Sequence, residues 1–201
     1  ALAASHATVI DCSEGIELLP AAGHHDHDHE HHHGDEADHY DPHYWMSVAN
    51  MNTVVQNLFF RLQPLLPSQA VTQLADNTQR AAALIKDCEL ECLQLAQQAG
   101  DKVHLITFHD GFAYFAHDLD LTLLRAIEEE AGSEASAREI VTITRLIREY
   151  DIPAIFTEVN GSDATARAIH RETGCAVFPL SMIMDGREPD ADSLSPISLY
   201  T

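Results

Sequence analysis

Val103-His104-Leu105-Ile106-Thr107-Phe108-His109-Asp110-Gly111-Phe112-Ala113-Tyr114-Phe115 is the stretch on which the fold of this chain turns. An apolar run leads into a polar turn and then a second apolar stretch. That is the pattern of a buried strand ending at His109, with a helix from Phe112 to Leu119 just past it. The alternation then repeats. Leu121 to Ile127 is apolar enough for another strand, and Ser136 to Tyr150 carries Ile140, Ile143, Leu146 and Ile147 at helical spacing. Ala154-Ile155-Phe156-Thr157 reads as a strand with Glu158 at its exit. Asp163 to Thr173 reads as a helix stopped by Gly174, and Ala176-Val177-Phe178 as the next strand. Strands alternating with helices predict an α/β fold with a parallel sheet and right-handed crossovers. Ligands of such sheets bind beyond the carboxyl ends of the strands, where His109 and Glu158 both stand. An isolated histidine there is more often a satisfied surface or core residue, and a glutamate a helix cap. Asp110 is placed to orient the His109 ring.

Toward the amino terminus, Ser68 to about Gln98 is the longest helical pattern, free of Gly and Pro, with Gly100 as its stop. About 30 residues at 1.5 Å each reach ~45 Å, more than the width of a small domain, which predicts a strut joining two lobes. Before it, Ser47 is placed to cap a helix with apolar positions at Val48, Met51, Val55, Leu58, Phe59 and Leu62, ended by Pro64 and Pro67. Ala7-Thr8-Val9-Ile10-Asp11 is β-branched and predicts a short buried strand.

Between these segments lies a tract of unusual chemistry. From Gly23 to His43 the chain holds nine of its fourteen histidines, several Asp and Glu, and no Lys or Arg. Neutral imidazole is the commonest protein ligand for zinc and its neighbours, and carboxylates serve too. His24, His25, His27, His29, His31, His32, His33 and His39 stand in sequence with almost nothing apolar to bury. They predict a loop that collects divalent cations without fixed geometry. His43 differs, because Pro42 restricts the turn and Tyr44-Trp45 can anchor it in a core, so it is the better candidate for a defined ligand. A tag or low-complexity linker is the plain alternative for the tract, although tags are usually pure His runs at a terminus.

The 201 residues, 45% hydrophobic, are enough for one large domain or two small ones. A formal net charge of −21 disfavours nucleic acid and anionic membrane as partners and favours cations. No apolar run approaches the ~20 residues needed to span a bilayer. The chain begins Ala1-Leu2 and carries no signal or anchor sequence, which suggests a processed or cut segment. Cys12, Cys88, Cys92 and Cys175 form no CxxC motif. Cys88 and Cys92 read as small buried residues on one helix face, with a disulfide to Cys12 or Cys175 left open.

Enzyme templates fit poorly: there is no Gly-x-Ser-x-Gly, P-loop, His-Glu-x-x-His or Gly-x-Gly-x-x-Gly. Three pieces together do carry a likeness. Asp41-Pro42-His43-Tyr44-Trp45-Met46-Ser47, Phe108-His109-Asp110-Gly111-Phe112-Ala113-Tyr114-Phe115, and Ile155-Phe156-Thr157-Glu158 before a helix ending Glu172-Thr173-Gly174 follow in order behind a His-rich loop. In this the chain resembles the zinc- and manganese-type substrate-binding proteins of bacterial ABC importers, over nearly its whole length.

The resemblance implies two α/β lobes joined by a rigid long helix, with the amino-terminal lobe incomplete here. Residues 1–66 would be its remnant, with the His-rich loop at 23–39, 67–100 the connecting helix, and 101–201 the carboxy-terminal lobe. It implies a monomer that binds Zn²⁺ outside the cytoplasm and passes it to a membrane permease, without enzymatic turnover. His43 would be the ligand from the first lobe and His109 from the second, with Glu158 beside the metal as ligand or, slightly favoured, as an acceptor behind one. The family's earlier histidine ligand would precede Ala1. Manganese and iron members place an aspartate after the Gly174 helix, where Phe178-Pro179-Leu180-Ser181-Met182 has no acid, and this tilts the reading from Mn²⁺ to Zn²⁺. Two rivals remain: a zinc hydrolase built on His43, His109 and Glu158, and a zinc chaperone or buffer acting through Gly23 to His39.

Overall fold

The computed structural model describes residues 7–21, 40–100, 103–128, 135–158, 163–180 and 182. Among the described residues, two α-helices precede the sheet. Ser47 caps α1 (Val48–Leu62) by accepting from the Asn50 amide through Oγ, the role its position predicts. A 3-10 turn at Gln63–Leu65, carrying Pro64, leads into α2 (Ser68–Ala99), which folds back on α1. Its 32 residues span ~48 Å and end at Gly100, whose φ of +86° is one that glycine adopts freely.

The remainder alternates as expected: β1 (His104–His109), α3 (Ala113–Asp118), β2 (Thr122–Glu128), α4 (Ala137–Glu149), β3 (Ala154–Glu158), α5 (Asp163–Thr173) and β4 (Ala176–Leu180). All strands are parallel, in the order β2-β1-β3-β4. The chain enters at β1, steps one way to β2, then returns to build β3 and β4 on the other side. The strand order therefore reverses between β1 and β3, where an open sheet leaves a crevice past its carboxyl edge.

One core cluster lies between sheet and helices: Ile106, Phe108, Ile127 and Ile155 from the strands meet Ile143 and Ile147 of α4 and Ile169 of α5. The α4 stripe is held at its start by a reciprocal cap, in which Ser136 Oγ accepts from the Glu139 amide and Glu139 Oε2 accepts from the Ser136 amide. Hydrogen bonds from the Ser136 side chain and backbone amide to the Glu139 carboxylate lower its pKa. A second cluster of Met46, Phe112, Tyr114 and Met182 joins the start of α1 to α3.

Two expectations are corrected or closed. Ala7–Asp11 forms no strand: it pairs with neither sheet edge and leaves Val9 67% exposed, since a β-branched run without a ladder partner has no reason to be extended and buried. All four cysteines are free, so no disulfide joins Cys88 or Cys92 to Cys12 or Cys175. Among the described residues, no helix is long and apolar enough to cross a membrane.

Candidate metal centre

His109 is the last residue of β1, at the crevice. His43 reaches the same place from the other side, in the turn that enters α1. Although 66 positions apart, their Nε2 atoms stand 3.2 Å from each other, with the rings edge to face at 88°. Two nitrogens each about 2.0–2.1 Å from one zinc at the tetrahedral angle would be about 3.3–3.4 Å apart. The pair is thus already spaced to share an ion.

The His43 ring is oriented from behind. Asp41 Oδ1 accepts from the His43 amide at 2.9 Å and lies 2.6 Å from its Nδ1, with the carboxylate buried. A neutral imidazole so held carries its proton on Nδ1 and turns the Nε2 lone pair toward His109. Asp41 is fixed in turn. The Tyr114 hydroxyl donates to the Asp41 carbonyl and accepts from the Leu19 amide, both at 2.9 Å, and the Asp41 amide donates to the Leu19 carbonyl. Tyr114 sits on α3, directly after the His109 turn, so one side chain ties the two histidine segments together. A second tie runs from Ser47 Oγ, which donates to Asp118 Oδ2 at 2.6 Å at the far end of α3. Burial raises the Tyr114 pKa, keeping this hydroxyl a donor across the ordinary range.

The floor of the site is Gly111. A Cβ there would lie 2.2 Å from Met182 Cε, 2.8 Å from His109 Cδ2 and 3.2 Å from His43 Cγ, so the two rings close over a position that tolerates no side chain. Trp45 forms a wall, its ring 5.3 Å from that of His43 and its indole N–H donating to the Met182 carbonyl at 3.0 Å.

Of the predicted site residues, the structure brings His43 and His109 together. Glu158 ends β3, and since Thr107 pairs with Phe156, it is level with His109 in the parallel register. Its side chain, and His24, His25, His27, His29, His31, His32, His33 and His39, lie outside the described residues. The residues flanking that tract are described: Pro20 and Tyr40 form an antiparallel bridge, Tyr40 standing three residues before His43. Among the described residues no third His, Cys, Asp or Glu completes a group of three. Asp41, Gly111, Tyr114 and Met182 were missed by sequence reasoning. Only Asp41 carried a local signal, an Asp two residues before a His across a proline, the spacing of an Asx turn. Replacing Asp41 by Asn should weaken zinc binding by roughly 10–100-fold with the fold intact, as loss of a ligand's supporting carboxylate does elsewhere. Calorimetry giving an unchanged affinity would remove Asp41 from this role.

Comparison with known proteins identifies the family. The family model described as zinc-uptake complex component A, periplasmic (ZnuA), matches residues 1–196. The zinc-binding protein AdcA of Streptococcus pyogenes is 28% identical over 142 residues, 71% of this chain and 27% of AdcA. The iron-binding protein YfeA of Yersinia pestis is 30% identical over 138 residues, 67% of this chain and 43% of YfeA. A crystal structure of ZnuA superposes with a TM-score of 0.70 at 27% identity, covering 87% of this chain and 61% of that one. The chain thus spans less than half the length of these curated relatives. With a match over almost every residue and a fold to go with it, the chain belongs to the ZnuA family, the periplasmic component A of zinc-uptake complexes.

Proposed function

We propose that this chain captures Zn²⁺ outside the cytoplasm and delivers it to the membrane permease of an ABC importer, with His43 and His109 as ligands in the crevice at the β1 tip. The observation that carries this reading is the 3.2 Å separation of the two Nε2 atoms, close to the edge of a zinc tetrahedron, with Asp41 aligning one of them. Glu158 stands level with His109 and serves as an acceptor beside the metal, or as a further ligand. Zinc is preferred to manganese, because Phe178 to Met182, where manganese members place an aspartate, supply no carboxylate and the donors are imidazoles. The protein acts as a monomer, and binding weakens in acid, since protonated imidazole cannot ligate.

Residues 1–66 belong to an amino-terminal lobe, 67–100 to the helix that joins the lobes, and 101–201 to the carboxy-terminal lobe. The exposed Phe60 of α1, Leu65 of the 3-10 turn and Leu84, Leu90 and Leu95 of α2 support this division, as apolar surface that a first lobe would cover. The tract His24 to His39 gathers zinc for the crevice.

Replacing residues 23–39 with a short Gly-Ser linker separates this reading from the buffer reading. The tightest calorimetric zinc site should survive with an affinity within about threefold, while the weaker sites disappear. Loss of the tightest site would move the function to the tract.

A further inference from the structure

We propose that the Cys88–Cys92 pair of α2, beside the pocket where the start of α1, the later half of α2 and α3 meet, is a second metal site, specific for a soft monovalent cation of the copper(I) class, with the two cysteines as its ligands. The two cysteines lie one turn apart on α2, which puts them on the same side with Cβ atoms about 5–6 Å apart. Cys88 is 5% exposed and Cys92 is half-buried. A disulfide needs Cβ atoms about 3.5–4.5 Å apart, so an intact helix keeps this pair as a dithiol. Cys92 opens on a cavity of about 120 Å³ lined also by Met46, Phe115, Glu89 and Asp118. Cys92 and Met46 are the sulfur-bearing residues of its lining, Cys88 stands one helical turn from Cys92 just outside it, and the carboxylates draw cations to it.

The donor set decides which metal enters. Zinc takes four ligands, and no third His, Cys, Asp or Glu joins this pair among the described residues. Copper(I) is satisfied by two thiolates, and the buried thioether residue Met46 lines the same cavity as a third soft donor. Burial pushes the Cys88 thiol up to about 11 and the Cys92 thiol upward as well, so both are protonated at neutral pH. Binding is then an exchange without redox change: one Cu⁺ forms two Cu–S bonds, and two protons leave to solvent. The imidazole pair and the thiol pair would sort harder and softer cations into different parts of one chain.

The test is anaerobic titration of the full chain with Cu(I) in competition with bathocuproine disulfonate. It is read by thiolate-to-copper charge transfer in the near ultraviolet and by iodoacetamide labelling mapped on peptides. The band should saturate at one equivalent and Cys92 labelling should slow at least tenfold. Both effects should persist in His43→Ala and under excess Zn²⁺. In a Cys88→Ser/Cys92→Ser variant the band should vanish. Cys92 labelling in the wild-type chain unaltered by copper, or a band that survives in the double variant, would overturn the proposal. The wild-type labelling stands even if the double variant misfolds.

Discussion

His43→Ala and His109→Ala each lose tight zinc binding, by more than ~100-fold in affinity, while leaving the fold in place. Removing a carboxylate that merely supports a ligand typically weakens a site 10–100-fold, and removing an imidazole that touches the ion takes away more. Each substitution leaves one ring of the pair facing the crevice alone. The fold should hold because neither histidine belongs to the two buried core clusters. His117→Ala is the matched control, since that ring is 69% exposed at the end of α3 and should bind as wild type. Calorimetry of the three variants beside the parent decides the matter. Parental affinity in both His43→Ala and His109→Ala would detach zinc from the β1 tip altogether.

Gly111→Ala should be nearly as damaging without touching a ligand. The backbone at Gly111 is outside the left-handed region, so the effect is one of space alone. The Met182 methyl can swing aside, but His109 Cδ2 at 2.8 Å and His43 Cγ at 3.2 Å belong to rings held by the strand end and by Asp41. One methyl group therefore separates the rings or tilts them, at an overpacking cost of ~1–3 kcal/mol in stability and a zinc affinity lower by roughly 10–100-fold. Gly174→Ala discriminates strain from site damage. There the φ of +75° disfavours alanine but nothing crowds the new Cβ, so thermal stability should fall while zinc affinity stays. Equal zinc affinity in Gly111→Ala and the parent would show that the rings are not packed on this glycine.

Much of this architecture was legible in the chain because it is written locally. The Ser47 cap, the Gly-free run of α2, the apolar strand leading to His109 and the Gly174 stop are each set by residues within a turn of one another. The convergence of His43 and His109 was not legible from spacing, and entered only through likeness to a family. The remainder was hidden for a physical reason. Tyr114 matters through a hydroxyl that meets partners 73 and 95 positions away, and Gly111 through an atom it lacks. Ala7–Asp11 misled because strand propensity says what fits a sheet and nothing about whether an edge is within reach.

The bridge between Pro20 and Tyr40, with the Asp41 amide donating to the Leu19 carbonyl beside it, clamps the backbone three positions before His43. The register of Asp41 and His43 is therefore set on the near side of that clamp. Insertions or deletions between Pro20 and Tyr40 are decoupled from the geometry of the crevice, so the intervening sequence is free to diverge in length and composition without moving either imidazole.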